Sequence, residues 1–117
     1  MLSGKSVLIV EDAALIAIDI ETVLDELGAA LIVAGTVAPG ASTVGEFVPD
    51  LAIVDIHSAE GIDGALVVRL RHSGVPIVFL ATDPDFGAAS PIEGAHAVVF
   101  KPFTHEDLSA AIGRLTG

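Results

Sequence analysis

The chain has 117 residues, a hydrophobic fraction of 52%, no cysteine and a formal net charge of −11. This length fits one domain, the missing cysteines exclude disulfides and thiolate chemistry, and no apolar run approaches the ~20 residues of a membrane span. Sixteen acidic residues outnumber five scattered Lys and Arg, which argues against direct binding to DNA or RNA. Because no cleavage pattern follows the amino terminus, we expect a soluble, untargeted cytoplasmic protein with a single domain over residues 1–117.

Five short apolar runs predict β-strands. Their continuous apolar character, rather than an alternation, is typical of parallel strands covered on both faces. In chain order the runs are 7–10, 31–37, 51–54, 76–80 and 97–100.

Helical patterns separate these strands. Residues 16–27 carry apolar side chains at helical spacing, and Gly28 is positioned to end that helix. Residues 64–71 form a second pattern, with three apolar residues inward: Leu66, Val67 and Leu70. A third helix is expected to begin after Thr104, since Asp107 stands three residues later as in a capping box.

Two further segments are weaker or broken. Residues 40–48 predict a poor helix, diluted by two glycines and a Ser-Thr pair, and residues 83–95 contain two prolines and two glycines. We therefore expect a single turn or an irregular loop over 83–95. The alternation of strands and helices predicts an α/β fold with a parallel sheet and right-handed crossovers.

Polar side chains follow four of the predicted strands. Functional groups collect beyond the carboxyl ends of the strands in open α/β sheets. In this chain, the carboxyl ends of the predicted strands are followed by three carboxylates, one hydroxyl and one ammonium: Glu11, Asp12, Asp55, Thr82 and Lys101. The electrostatic repulsion between two carboxylates is ~4 kcal/mol at about 4 Å and an effective dielectric of about 20. A bound Mg²⁺ ion would relieve this repulsion. Alternatively, Glu11 and Asp12 cap the first helix, although this would leave Asp55 and Lys101 unexplained.

Three segments together resemble the receiver domain of two-component response regulators. They are VLIVED at 7–12, LAIVDI at 51–56 and VVFKPF at 98–103, and the resemblance covers the whole chain. It implies a doubly wound, flavodoxin-like (βα)₅ fold whose five-stranded parallel sheet has the order 2-1-3-4-5. It also implies Mg²⁺-dependent transfer of a phosphoryl group from a histidine kinase or histidine phosphotransfer protein to one aspartate. Such a protein catalyses only its own phosphorylation and dephosphorylation and is otherwise not an enzyme.

The resemblance also implies a role for each site residue. Asp55 would be the phosphoacceptor, and Lys101 would pair with the phosphoryl oxygens and form a cis bond to Pro102. The implied metal ligands are the carboxylates of Glu11 (mainly through water), Asp12 and Asp55 and the backbone carbonyl of His57. The chemistry is sound because a carboxylate can attack phosphorus once a metal neutralises the phosphoryl oxygens.

The chain departs from the receiver pattern near Thr82. Most members carry Thr or Ser five residues after the strand-four proline, but Pro76 is followed at that spacing by Ala81. A one-residue bulge would bring Thr82 into the phosphate-sensing position. Without a bulge that hydroxyl is missing and only backbone amides remain, so both outcomes stay open.

Two other positions also differ. Val98 stands where the switch aromatic is usual, so rearrangement of the 83–95 loop is expected to carry the signal instead. The loop after Asp55, IHSAEGIDG, lacks the common Met-Pro and is one residue longer than usual up to its Gly. Together with the broken fourth helix over 83–95, this loop resembles that of a sub-group of stand-alone receivers with a Phe-Ala-Thr-Gly-Tyr-like strand-four motif, which FLATD matches in part.

Three functions follow. The first is a phosphoacceptor signalling module, a monomer or weak dimer whose output is protein contact through the 83–95 loop, the last strand and the last helix. The second is a Mg²⁺-dependent aspartyl-phosphate phosphatase, disfavoured because enzymes of the haloacid dehalogenase type have a second Asp where this chain has His57. The third is an unphosphorylated interaction scaffold, or a receiver fragment of a hybrid kinase.

Overall fold

The structure is a computed structural model that describes residues 2–35, 48–59, 64–86, 92 and 94–116. Within these residues it contains five strands and three helices. In chain order they are β1 (Ser6–Val10), α1 (Ala14–Glu26), β2 (Leu31–Gly35), β3 (Leu51–Asp55), α2 (Ala65–His72), β4 (Ile77–Ala81), β5 (His96–Phe100) and α3 (His105–Thr116).

The five strands form one parallel sheet in the order β2-β1-β3-β4-β5. This confirms the predicted strand order and fold class. The observed bounds differ from the apolar runs by a residue or two; β4, for example, begins at Ile77 because Pro76 has no N–H to donate. The last two residues of the run 31–37 lie outside the described part of the chain.

Helix ends follow the predicted local signals. Gly28 has φ +87°, and the N–H of Ala29 beyond it donates to the carbonyl of Leu24 at 3.1 Å, which is the Schellman arrangement. At the start of α3, the N–H of Thr104 donates to Asp107 Oδ2 and the N–H of Asp107 donates to Thr104 Oγ1, both at 3.0 Å. The predicted capping box is therefore confirmed.

Hydrophobic layers cover both faces of the sheet. Helices α1 and α3 cover one face with buried residues that include Ile20, Leu24, Leu108 and Ile112. Helix α2 covers the other face with the three residues predicted to face inward, Leu66, Val67 and Leu70. Because the inner strands β1, β3 and β4 are buried on both sides, polar groups that belong to them can collect only at their ends.

The weaker predictions fall mostly outside the described residues. Of the expected helix over 40–48, only Val48 is described, and it is not helical. The described start of the 83–95 segment is a turn in which the N–H of Phe86 donates to the carbonyl of Asp83 at 3.0 Å, as expected. Across the described ranges, the helices are all too short or too polar to cross a bilayer.

Candidate functional site

Three charged side chains meet at the carboxyl edge of the sheet. Glu11 follows β1, Asp55 ends β3 and Lys101 follows β5. Lys101 Nζ lies 2.8 Å from Glu11 Oε2 and 3.3 Å from Asp55 Oδ1. The side chains are 15%, 2% and 8% exposed for Lys101, Glu11 and Asp55 respectively. A nearly buried ammonium thus joins two buried carboxyl groups from different strands.

The charge of Lys101 is fixed by this arrangement. Burial alone would lower the pKa of Lys101, but the hydrogen bond to Glu11 and the charges of Glu11 and Asp55 together raise the pKa above its ordinary value. Lys101 is therefore a permanent cation at neutral pH. Two carboxyl groups still share one ammonium, so the cluster can accept further positive charge.

The two oxygens of Asp55 have different surroundings. Oδ2 accepts hydrogen bonds from Ser58 Oγ at 2.8 Å and from the Ser58 N–H at 3.2 Å. Oδ1 is buried and has no hydrogen-bond partner among the described residues; its neighbour is the Lys101 ammonium, an ion-pair contact at 3.3 Å. One oxygen is therefore held by neutral donors, while the other faces only the ammonium of Lys101 among the described residues.

Ser58 was not among the residues predicted from the sequence. Its hydroxyl also accepts a hydrogen bond from the N–H of Asp12 at 3.3 Å, so it links the loop after β1 to Asp55. The turn that carries Ser58 is closed by the N–H of Ala59, which donates to the Asp55 carbonyl at 3.0 Å. No sequence signal pointed to this role beyond the absence of the common Met-Pro from the loop after Asp55.

The adjacent acids Glu11 and Asp12 play different parts. Glu11 Oε1 accepts a hydrogen bond from the N–H of Ala13 at 3.1 Å, while Oε2 binds Lys101. The alternative that these acids cap the first helix is not supported, because α1 begins without a side-chain capping hydrogen bond and Glu11 belongs to the charged cluster. The side chain of Asp12 is exposed at the mouth of the site.

The suitability of the site for a metal ion rests on its oxygen chemistry. No group of three or more His, Asp or Glu side chains in the described ranges is arranged to hold a metal ion; Glu11 is engaged by Lys101 instead. Mg²⁺, however, needs only one or two carboxylates together with waters and phosphate oxygens. The hard oxygens of Asp55 and Asp12, and the excess of carboxyl groups over ammonium, fit that requirement.

Thr82 lies one residue beyond the end of β4. The ladder between β4 and β5 is regular through the pair Ala81 and Phe100, and β4 contains no bulge. Ala81 is fully buried, whereas Thr82 is exposed, with its Oγ1 3.5 Å from His57 Nε2. Of the two outcomes left open by the sequence, the structure therefore has the one without a bulge.

A cavity of about 350 Å³ opens beside the cluster. It is lined by Ile16, Asp19, Thr82, Lys101, Pro102 and Phe103. The bond between Lys101 and Pro102 is cis, as the resemblance implied. Thr82 therefore lines this cavity together with Lys101, and it lies beyond the last residue pair of the ladder between β4 and β5.

A five-stranded parallel sheet with an aspartate, a lysine and an acidic pair at its carboxyl edge defines a receiver-type α/β protein. The family model of the response regulator receiver domain matches residues 7–113. The chain therefore belongs to the receiver domain family of response regulators.

Solved structures give the same result. The chain is similar to the PhyR stress response regulator, with 33% identity and a TM-score of 0.75 over 95% of this chain and 44% of that one. It is also similar to the REC domain of Erythrobacter litoralis PhyR, with 26% identity and a TM-score of 0.76 over 97% and 90% of the two chains.

A third similar structure is the anti-anti-sigma factor PhyR from Bartonella quintana, with 26% identity and a TM-score of 0.77 over 98% of this chain and 48% of that one. The chain thus spans less than half the length of this PhyR and of the PhyR stress response regulator. Comparison with curated proteins finds no match.

Proposed function

We propose that this chain is the phosphoacceptor module of a two-component or phosphorelay system. It takes a phosphoryl group from the phosphohistidine of a histidine kinase or phosphotransfer protein onto Asp55. The observation that carries the proposal is the buried Oδ1 of Asp55, which has no hydrogen-bond partner in the described part of the chain and faces the ammonium of Lys101. A carboxylate oxygen that faces a fixed cation and no neutral donor suits a phosphoryl acceptor.

The transfer step follows from this geometry. Oδ1 of Asp55 attacks phosphorus as the phosphorus–nitrogen bond to the donor imidazole breaks, so the bonding pair returns to the imidazole and an acyl phosphate forms. Lys101, 3.3 Å from the attacking oxygen, is placed to contact the phosphoryl oxygens as they arrive. Bound Mg²⁺ would neutralise those oxygens, held by Asp12, Asp55 and the backbone carbonyl of His57, with Glu11 acting through water.

Output is proposed to occur by protein contact in the cytoplasm. The product adds about −1.5 to −2 charge to the cluster, enough to rearrange nearby loops. Phe100 on β5 is 42% exposed, and large exposed apolar residues are candidates for contact surfaces. Regulation through a protein partner also suits the similarity to the anti-anti-sigma factor PhyR from Bartonella quintana. The proposed output face combines β5, α3 and the 83–95 segment.

The donor is proposed to dock on α1. Leu15 and Ile18 of this helix are 80% and 55% exposed, and Ile16 and Asp19 line the cavity that opens beside Lys101. A donor protein that covers these residues would bring its phosphohistidine to the mouth of the site.

Intact-mass measurement tests the phosphoacceptor role. With Mg²⁺ and acetyl phosphate, the wild type is expected to gain one phosphoryl group and Asp55→Asn none, because an amide is not a competent nucleophile. Asp25→Asn, at an exposed position near the end of α1, is the matched control and should behave like the wild type.

Other outcomes would contradict the proposal. An adduct that persists in Asp55→Asn would place the acceptor elsewhere. No adduct with any donor would favour the unphosphorylated scaffold, and rapid multiple turnover of a metabolite would favour a phosphatase.

Thr82 is expected to be dispensable for phosphorylation. Its hydroxyl lies beyond the end of β4 and contacts His57 rather than Asp55. The rate of adduct formation in Thr82→Ala should therefore stay within about twofold of the wild type, as for substitutions away from the reacting atoms. Ala81→Ser, which places a hydroxyl at the position usual for receivers, is the comparison variant. A large loss of adduct in Thr82→Ala would show that the hydroxyl reaches the phosphoryl group after all.

A further inference from the structure

We propose that Ser58 is a positioning residue that competes with a divalent cation for Oδ2 of Asp55. The cation would have to displace the Ser58 hydroxyl before it could bind the acceptor carboxylate. This inference rests on the metal-binding part of the proposed function.

The direction of each hydrogen bond is fixed by the donors present. The N–H of Asp12 can only donate, so Ser58 Oγ accepts there, at 3.3 Å. The single hydrogen of the hydroxyl is then free for Asp55 Oδ2, at 2.8 Å, and the N–H of Ser58 donates to the same oxygen at 3.2 Å. A carboxylate oxygen offers about two lone pairs, so Oδ2 is fully used by Ser58.

Neither oxygen of Asp55 is open to a cation in this arrangement. On the Oδ1 side the Lys101 ammonium lies at 3.3 Å and repels positive charge, and Glu11 holds that ammonium in place at 2.8 Å. On the Oδ2 side the donors are neutral. A cation therefore binds at lower cost through Oδ2, leaving Oδ1 beside Lys101 to act as the nucleophile.

The hydroxyl of Ser58, rather than its backbone, is the group that would move away from Asp55 when a cation binds. The backbone turn is held by the hydrogen bond from Ala59 to the Asp55 carbonyl, whereas the hydroxyl can rotate about the Cα–Cβ bond. Rotation would also release the N–H of Asp12, so cation binding is coupled to the loop after β1.

Calorimetric titration with Mg²⁺ tests the proposal directly and needs no phosphodonor. Calorimetry is preferred because the chain contains no Trp or Tyr for intrinsic fluorescence. Ser58→Ala is expected to bind Mg²⁺ roughly three- to tenfold more tightly than the wild type, the scale of the net contribution of one typical hydrogen bond. Ser58→Thr and Ser58→Val form a matched pair of nearly equal shape. The first should bind like the wild type and the second like Ser58→Ala.

Several results would overturn the proposal. They are equal or weaker Mg²⁺ binding by Ser58→Ala, no difference between the Thr and Val variants, or no binding by any of the proteins. A change in melting temperature without Mg²⁺, with unchanged Mg²⁺ affinity, would show a purely structural role. Tighter binding without a phosphoryl adduct would leave this inference standing and remove the phosphoacceptor proposal; an adduct with unchanged affinities would do the reverse.

Discussion

Replacing Lys101 with Ala is expected to lower the free energy of unfolding by about 3–5 kcal/mol in the absence of Mg²⁺. The variant leaves the carboxyl groups of Glu11 and Asp55, 2% and 8% exposed, without their shared cation. Burial of an uncompensated charge costs far more than loss of a surface ion pair, which contributes ~0–1 kcal/mol. Urea unfolding followed by circular dichroism at neutral pH measures the difference.

Lys5→Ala is the matched control, because Lys5 is an exposed lysine on the same chain. Its effect should stay within about 0.5 kcal/mol. Millimolar Mg²⁺ should stabilise Lys101→Ala more than the wild type, since the cation replaces the missing positive charge. A Lys101→Ala variant as stable as the wild type would show that the two carboxyl groups are not desolvated charges.

The pH dependence of this effect has a defined sign. The pKa of Lys101 is raised above its ordinary value of 10.5 in the folded protein. Its contribution to stability is therefore fully present below that value and is lost as the pH rises through the higher, folded-state pKa. The difference between wild type and Lys101→Ala should be present at neutral pH and shrink in strongly alkaline solution.

The sequence was sufficient for the fold and for the charged cluster because both depend on strand ends. Apolar runs indicated where the strands lie, and a parallel sheet brings the residue after each strand to one edge. Glu11, Asp55 and Lys101 could thus be placed together without knowledge of any contact.

The finer geometry could not be predicted in this way. Spacing alone does not say which of two adjacent acids contacts the lysine. In the structure Glu11 forms the ion pair with Lys101, and the side chain of Asp12 is exposed. The position of Thr82 depended on whether β4 is bulged, which only the ladder with β5 decides. The bonds of Ser58 depend on the shape of the turn after Asp55, for which the sequence carried no hydrogen-bonding signal.

The second large effect is expected in the core beneath β4. Phe79 is fully buried, and its ring centroid lies 5.7 Å from that of Phe86 and 6.3 Å from that of His96. Phe79→Ala removes this packing and leaves a cavity, so the free energy of unfolding should fall by about 3–5 kcal/mol. Phe79→Leu, which keeps most of the apolar volume, should cost less than about 1.5 kcal/mol. A loss below about 1 kcal/mol in Phe79→Ala would show that the site collapses around the smaller side chain.

The contact between Phe79 and Phe86 also connects the core to the segment after β4, which is proposed to rearrange. Val98, where many receivers carry an aromatic residue, pairs with Phe79 in the ladder, and Phe86 stands at the start of the segment proposed to rearrange. Phe79→Ala should therefore speed amide hydrogen exchange at Phe86 more than at Leu8, a residue of the inner strand β1 that packs in the same hydrophobic layer. Equal acceleration at both amides would mean that Phe79 stabilises the fold as a whole. Acceleration confined to Phe86 would mean that the phenylalanine pair anchors the start of the segment after β4.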